Sequence, residues 1–307
     1  MSTVAEKMKK RMRKGDIAFP VVNTVILILI MVITLYPVLN TVAISFNDGI
    51  DAVRGGITVY PRKPSLKAYQ QMLSDSDIYQ AFWISTSKTV IITVLNLFFT
   101  SMLSFALSRK EYVFRKPITV LMVFTMYFNA GLIPNFLLVN NTLGLGQTYW
   151  AYIIPSMFSC FNMVVIRTYI AGLPEALLES ARIDGASDIR AFFSIILPLC
   201  LPVLATVALF VAVGSWNSWF DTRLYAASKK ELHTLQYKLN AMLASTQNQA
   251  GSANQTSDAA ANSAAKQVTP ITIRCAIMVI SAVPIMVVYP FLQKYFVTGM
   301  ALGSVKG

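Results

Sequence analysis

The feature that most limits how this chain can fold is an uninterrupted apolar run. From Phe19 to Ala43 no charged side chain appears, a stretch longer than the ~20 mostly apolar residues that cross a bilayer as a helix. Comparable stretches recur, giving six candidate spans near residues 19–43, 83–107, 117–137, 149–171, 195–215 and 273–296. Asn129, Pro134, Pro155 and Asn162 interrupt the third and fourth, as spans bordering a water-filled cavity tolerate. Composition agrees, because only 13% of the 307 residues are charged, against about 25% in an ordinary soluble domain. The reading is an all-α integral membrane protein with six transmembrane helices. One membrane domain spans 19–307, without tandem repeats, after a basic amino-terminal segment, 1–18.

Charge sets the orientation. Lys7, Lys9, Lys10, Arg11, Arg13 and Lys14 crowd the amino terminus. Beside an apolar segment, such a cluster fixes membrane orientation more readily than it binds nucleic acid. With that terminus inside, the segments 1–18, 108–116, 172–194 and 297–307 are cytoplasmic and carry six, four, two and one Lys or Arg. The longer external segments 44–82, 138–148 and 216–272 carry four, none and five. Cationic density is therefore higher inside, and both termini are expected in the cytoplasm. The run from Phe19 is too long for a cleavable signal and lacks a small-residue cleavage site. Cys160, Cys200 and Cys275 lie in apolar runs, without the spacing of a metal site or a disulfide framework. The stretch 244–268, rich in Ala, Ser, Asn and Gln, cannot bury enough apolar surface to fold alone. It is expected to be a flexible external loop, or a surface that orders against an extracellular partner.

One polar stretch interrupts the membrane pattern. In EALLESARIDGASDIRAFFSIILPLCLP, six charged residues (Glu175, Glu179, Arg182, Asp184, Asp188 and Arg190) fall within sixteen positions. Pro174 suits the first turn of a helix. At 100° per residue, Glu175, Glu179 and Arg182 share one face and Leu177, Leu178 and Ala181 the other. Gly185 is expected to stop this helix in the left-handed conformation, and Ser187 to cap a second, with Asp188 in its first turn. Pro198 and Pro202 should bend the start of the span that follows. Glu175 and Glu179 are like charges at i, i+4, which disfavours the helix. Arg182 should relieve part of that, and a cationic partner more. A helix lying among headgroups is the alternative, but such helices usually carry Lys or Arg on the polar face. Two Glu and an Asp against one Arg favour docking to a protein.

This stretch resembles the EAA loop of ATP-binding-cassette importer permeases. Glu179-Ser180-Ala181 matches the triplet, Gly185 the glycine, and Ile195, Leu197 and Pro198 the end of the pattern. Ser180 departs from the usual alanine by a small-for-small change. SFALSRKEY from Ser104 and SWNSWFDTRLY from Ser215 resemble the carbohydrate-uptake branch. The ending QKYFVTGMALGSVKG resembles the polysaccharide and aldouronate permeases. The resemblance implies a type I ABC importer permease-like fold in a bacterial cell membrane, and a multi-pass subunit that is not itself an enzyme. In that family the loop is the helix that couples to a cytoplasmic ATPase. Glu175, Glu179, Ala181, Arg182, Asp184, Gly185 and Ala186 would form the ATPase-coupling site, with Glu179 pairing with an ATPase arginine, Gly185 making the bend and Ala181 and Ala186 packing. The implied partners are a homologous second permease, a dimer of ATPase subunits holding ATP and Mg, an extracellular sugar-binding lipoprotein and an oligosaccharide substrate.

Other chemistry is poorly represented. The chain lacks a G-x-x-x-x-G-K-[ST] phosphate loop, so ATP hydrolysis is expected on a separate subunit. The single His, His233, has no metal-ligand spacing around it and reads as a solvated or capping side chain. Asn129, Asn162, Trp216, Asn217 and Trp219 are candidates for the substrate pathway, since amides and aromatic faces suit sugars. Bonding between helices would equally explain the asparagines, and an interfacial belt the tryptophans. A self-sufficient secondary transporter of small polar solutes would need ionisable groups at midplane. Lys88 and Arg167 instead read as snorkelling residues near span ends.

Overall fold

The structure, a computed structural model, describes residues 14–128, 130–251 and 268–304. Lys7 to Arg13 of the basic cluster, Asn129 and residues 252–267 of the 244–268 stretch lie outside the described residues. The order of helices is α1 (Lys14–Ser45), α2 (Gly49–Val53), α3 (Lys67–Leu73), α4 (Ser76–Ser108), α5 (Arg115–Tyr127), α6 (Leu132–Leu137), α7 (Trp150–Ile153) and α8 (Cys160–Ala171). Then come α9 (Ala176–Ile183), α10 (Asp188–Ala191), α11 (Leu197–Leu199), α12 (Leu201–Asn217), α13 (Phe220–Tyr225), α14 (Leu235–Gly251) and α15 (Pro270–Ser304). Among the described residues the only extended pairing is an isolated bridge between Asn47 and Pro64, so the fold is all-α.

Three helices are long and apolar enough to cross a membrane unbroken: Phe19–Ser45 within α1, all of α4, and Pro270–Pro290 within α15. Three further stretches are apolar enough only when the two helices of a bent pair are counted together. Trp150–Ser156 and Cys160–Ala171 meet at 43°, and Asp188–Leu199 and Leu201–Asn217 at 78°. Arg115–Tyr127 and Leu132–Thr142 lie on either side of Asn129. With each pair counted as one span, the six fall on the six apolar stretches of the sequence. The helix of the second span begins at Ser76, ahead of the apolar stretch, where Asp75 accepts the Asp77 N–H and caps it. The bend at Cys200 falls between Pro198 and Pro202, whose missing donors prevent a continuous ladder. The first residues of the 244–268 stretch continue α14 as far as Gly251.

The chain divides into two compact units. In the first, Met1–Met72 with Asn254–Val279, the membrane face of α1 is exposed from Phe19 to Val38. A helix apolar all round and unburied is stable only against lipid or other membrane helices. Beyond it, Asn47 organises a loop, accepting the Lys63 N–H (2.8 Å) and donating to Asp51 (3.0 Å). Arg62 closes the loop on Asp51 at 3.2 Å.

The second unit is Leu73–Ala253 with Ile280–Gly307. Here α4 packs against α8 and α12. Its buried face carries Ser85, Asn96, Thr100, Ser101 and Ser104, small or amide residues that let membrane helices approach and bond across the seam. Ser104 Oγ, for example, donates to the Met163 carbonyl at 3.0 Å. Toward one end, Phe105, Ile166, Ile170, Phe192, Ile196 and Val207 form an apolar cluster. That cluster is the floor on which the polar loop rests.

Candidate functional site

The polar loop folds as two short helices around a glycine bend. The Glu175 carbonyl accepts from the N–H groups of Leu178 (2.9 Å) and Glu179 (3.1 Å) to open α9. Closure is of the Schellman type. The Ala186 N–H donates to the Ala181 carbonyl (2.9 Å) and the Gly185 N–H to the Arg182 carbonyl (3.0 Å), with Gly185 at φ +76°. Ser187 Oγ then accepts the Arg190 N–H at 3.3 Å and caps α10. The local backbone expectations for Gly185, Ser187 and Asp188 are thus met.

Two residues seat α9: Ala181 is buried and Leu178 packs on the Phe105–Phe192 cluster. Leu177, expected on the same face, is exposed. A two-turn helix resting on an i, i+3 pair has a narrow contact stripe, and Leu177 sits 100° away from Leu178. Ala186 is half-buried and Asp184 exposed.

Charge pairing differs from the expectation that Arg182 offsets Glu175 and Glu179. Arg182 Nη1 instead donates to Glu111 at 2.7 Å, and Nη2 lies 3.7 Å from Asp188. Glu175 is met by Lys110 at 2.6 Å, and Arg109 approaches Glu111 at 3.7 Å. The Arg109-Lys110-Glu111 segment, between α4 and α5, therefore clasps the loop. The pattern missed it because its partner charges are more than sixty positions away. The like-charge strain at Glu175 and Glu179 was the available signal, since it called for a cation from elsewhere. The Arg182 guanidinium holds the Glu111 carboxyl below its ordinary value, and Glu111 in turn raises Arg182. Once these pairs are made, Glu179 is exposed. Among the described residues its carboxylate has neither ion pair nor hydrogen bond.

Of the candidate pathway residues, the four that are described bond or stack with other side chains and backbone groups. Asn162 is buried and donates to Asn96 Oδ1 at 3.3 Å, and Asn96 donates to the Ser156 carbonyl at 2.9 Å. Trp216 is buried, its Nε1 donating to the Ser281 carbonyl at 2.9 Å and its ring set edge-on to Phe82, so it is not a belt residue. Asn217 is exposed and accepts from Gln236 at 3.3 Å. Trp219 stacks edge-on with Phe220. His233 Nε2 lies 3.0 Å from the Ala227 carbonyl, consistent with a capping side chain.

Lys88, read as a solvated snorkelling residue, is instead buried: it lies twelve residues into α4 and its side chain is only 1% exposed. Its Nζ lies 3.5 Å from Asp221 Oδ2, 3.4 Å from the Ser218 carbonyl and 5.0 Å from the centre of the Tyr152 ring. Arg167, nearer the end of α8, reaches Thr119 Oγ1 at 3.1 Å.

Comparison with known proteins places this arrangement in a family. The polygalacturonan/rhamnogalacturonan transport system permease protein YtcP of Bacillus subtilis is 35% identical over 281 residues, covering 92% of this chain and 96% of that protein. The arabinooligosaccharides transport system permease protein AraQ of Halalkalibacterium halodurans is 30% identical over 284 residues, covering 90% and 92%. Among solved structures, a chain of a bacterial ABC transporter involved in the import of the acidic polysaccharide alginate superposes with a TM-score of 0.83. It is 28% identical, with 92% of this chain and 98% of that one covered. The family model described as binding-protein-dependent transport system inner membrane component matches residues 18–302. A multi-pass, all-helical membrane protein with this match is a transporter permease subunit, not an enzyme in its own right. The chain belongs to the inner membrane components of binding-protein-dependent transport systems.

Proposed function

We propose that this chain is one permease subunit of an ATP-driven oligosaccharide importer, forming half of the transmembrane pathway and coupled to a cytoplasmic ATPase through α9. The observation that carries the reading is the Glu179 carboxylate. It is exposed on a helix whose other face is seated on the core, and the neighbouring acids Glu175, Asp188 and Glu111 are already matched by Lys110, Arg182 and Arg109. An unmatched, exposed carboxylate on a helix seated by its other face suits a cation on a partner protein, and a charge-assisted bond there gives both affinity and register. Gly185 and Ala186 set the helix at its angle, and Asp184 adds a second exposed acid at the tip.

On this reading residues 172–194 and both termini face the cytoplasm, as the distribution of Lys and Arg supports. ATP and Mg belong to a dimer of ATPase subunits, a homologous permease completes the pathway, and an extracellular lipoprotein delivers the sugar. The relatives named for polygalacturonan, arabinooligosaccharides and alginate support an oligosaccharide cut from a complex polysaccharide. The test is Glu179→Lys. The variant should reach the membrane at the wild-type level yet lose most oligosaccharide uptake, whereas unchanged uptake would remove the coupling role.

A further inference from the structure

A lysine inside a membrane span is costly unless it has work to do. Lys88 sits in α4, buried, and borders a cavity of about 200 Å³ lined by Ser156, Gly214, Ser215, Ser218 and Asp221. An ammonium has three donors, and a well-made bond to a carboxylate measures about 2.7–2.9 Å. Here the nearest oxygens are at 3.4 and 3.5 Å. Asp221 Oδ2, the closest counter-charge, also accepts the Ser218 hydroxyl. Lys88 is therefore neutralised but loosely coordinated. The same cavity holds a second unmet donor, the Ser215 hydroxyl, buried without a partner among the described residues. A loosely held cation and an orphaned hydroxyl around one void, roomy enough for about six waters, make a site for an anionic, oxygen-rich group.

We propose that this cavity is a transit site for the carboxylate of an acidic sugar: Lys88 takes the carboxylate, Ser215 donates to a carboxylate or ring oxygen, and Asp221 stays with Ser218. The substrate class is an oligosaccharide containing uronic acid residues. Asp221, close by, repels the bound carboxylate and keeps the site weak. Transport favours that balance, since a transit site must release what it binds.

This assignment rests on the importer reading, and the experiment separates the two. Uptake of trigalacturonate and of its fully methyl-esterified, uncharged form is compared in cells carrying the whole assembly. Lys88→Gln should lower uptake of the acid about ten- to hundred-fold, the range of one charge-assisted bond, while uptake of the ester stays within about two-fold. Retained ester uptake also certifies that the variant folds. Lys88→Arg should keep most acid uptake, and Ser215→Ala should lose a smaller share of it. Equal loss of both probes in Lys88→Gln would make the Lys88–Asp221 pair a structural tie and overturn the site. An unchanged acid-to-ester ratio would also overturn it. Wild-type cells that import only the ester, or neither probe, would overturn the uronate assignment. Neither result touches the importer reading, which stands or falls on ATPase association.

Discussion

At the scale of single residues, the loop separates charges that are paired, Glu175 and Arg182, from the exposed acids Glu179 and Asp184. Arg182 and Glu111 are exposed, and exposed pairs contribute little to stability. Their effect is geometric: they fix where α9 points. Glu111→Arg should cut uptake several-fold with normal membrane levels, and adding Arg182→Glu should restore much of it, read by a transport assay. No restoration would mean that the pair does not position the helix. Glu111 has its carboxyl lowered below the ordinary 4.5, chiefly by Arg182. The contact is therefore intact at neutral pH and is lost only as pH falls through that lowered value. Coupling measured on purified assemblies should stay flat from neutral pH into the mildly acidic range and fail below it. The Glu111→Gln variant should not show that acid limb. Gly185 and Ser187 were legible in the sequence because left-handed stops and caps are local backbone chemistry. The burial of Lys88 was not legible because its partner Asp221 lies 133 positions away.

At the scale of elements, bends give the spans their shape, and prolines mark them in the sequence. The break at Cys200 followed from Pro198 and Pro202. The orientation of Trp216 did not, since whether an indole sits in a belt or in a seam depends on which helix packs against it. The bend at Gly185 gives a sharper test. A side chain there would meet no neighbour within 4 Å, so any cost of substitution is purely conformational. A β-branched residue at φ +76° is penalised by about 1–2 kcal/mol, whereas Asn tolerates that region. Gly185→Val should therefore weaken ATPase association while Gly185→Asn largely retains it, measured by co-purification. Equal behaviour of the two would remove the bend from the mechanism.

At the scale of the whole molecule, the apolar stretches and the family were readable from the sequence, because bilayer thickness and the polar loop pattern both leave short, strict signatures. A buried ion pair inside the helix packing was not readable, although it is the ingredient a self-sufficient transporter would need. Membership of the binding-protein-dependent family gives that pair a place in an importer instead. Orientation makes its own prediction. A cysteine replacing Ser187 should react with an impermeant thiol reagent only from the cytoplasmic side, and one replacing Ser65, in the segment between the first two spans, only from outside. The measurement that bears most directly on the account is co-purification in mild detergent from the native membrane, with mass identification, for the wild type and Glu179→Lys side by side. The wild type should bring a second six-span permease and an ATPase, and the variant should keep the permease and lose the ATPase. A chain that comes out alone and still transports after reconstitution, or an ATPase held equally by both forms, would contradict coupling through Glu179 and α9.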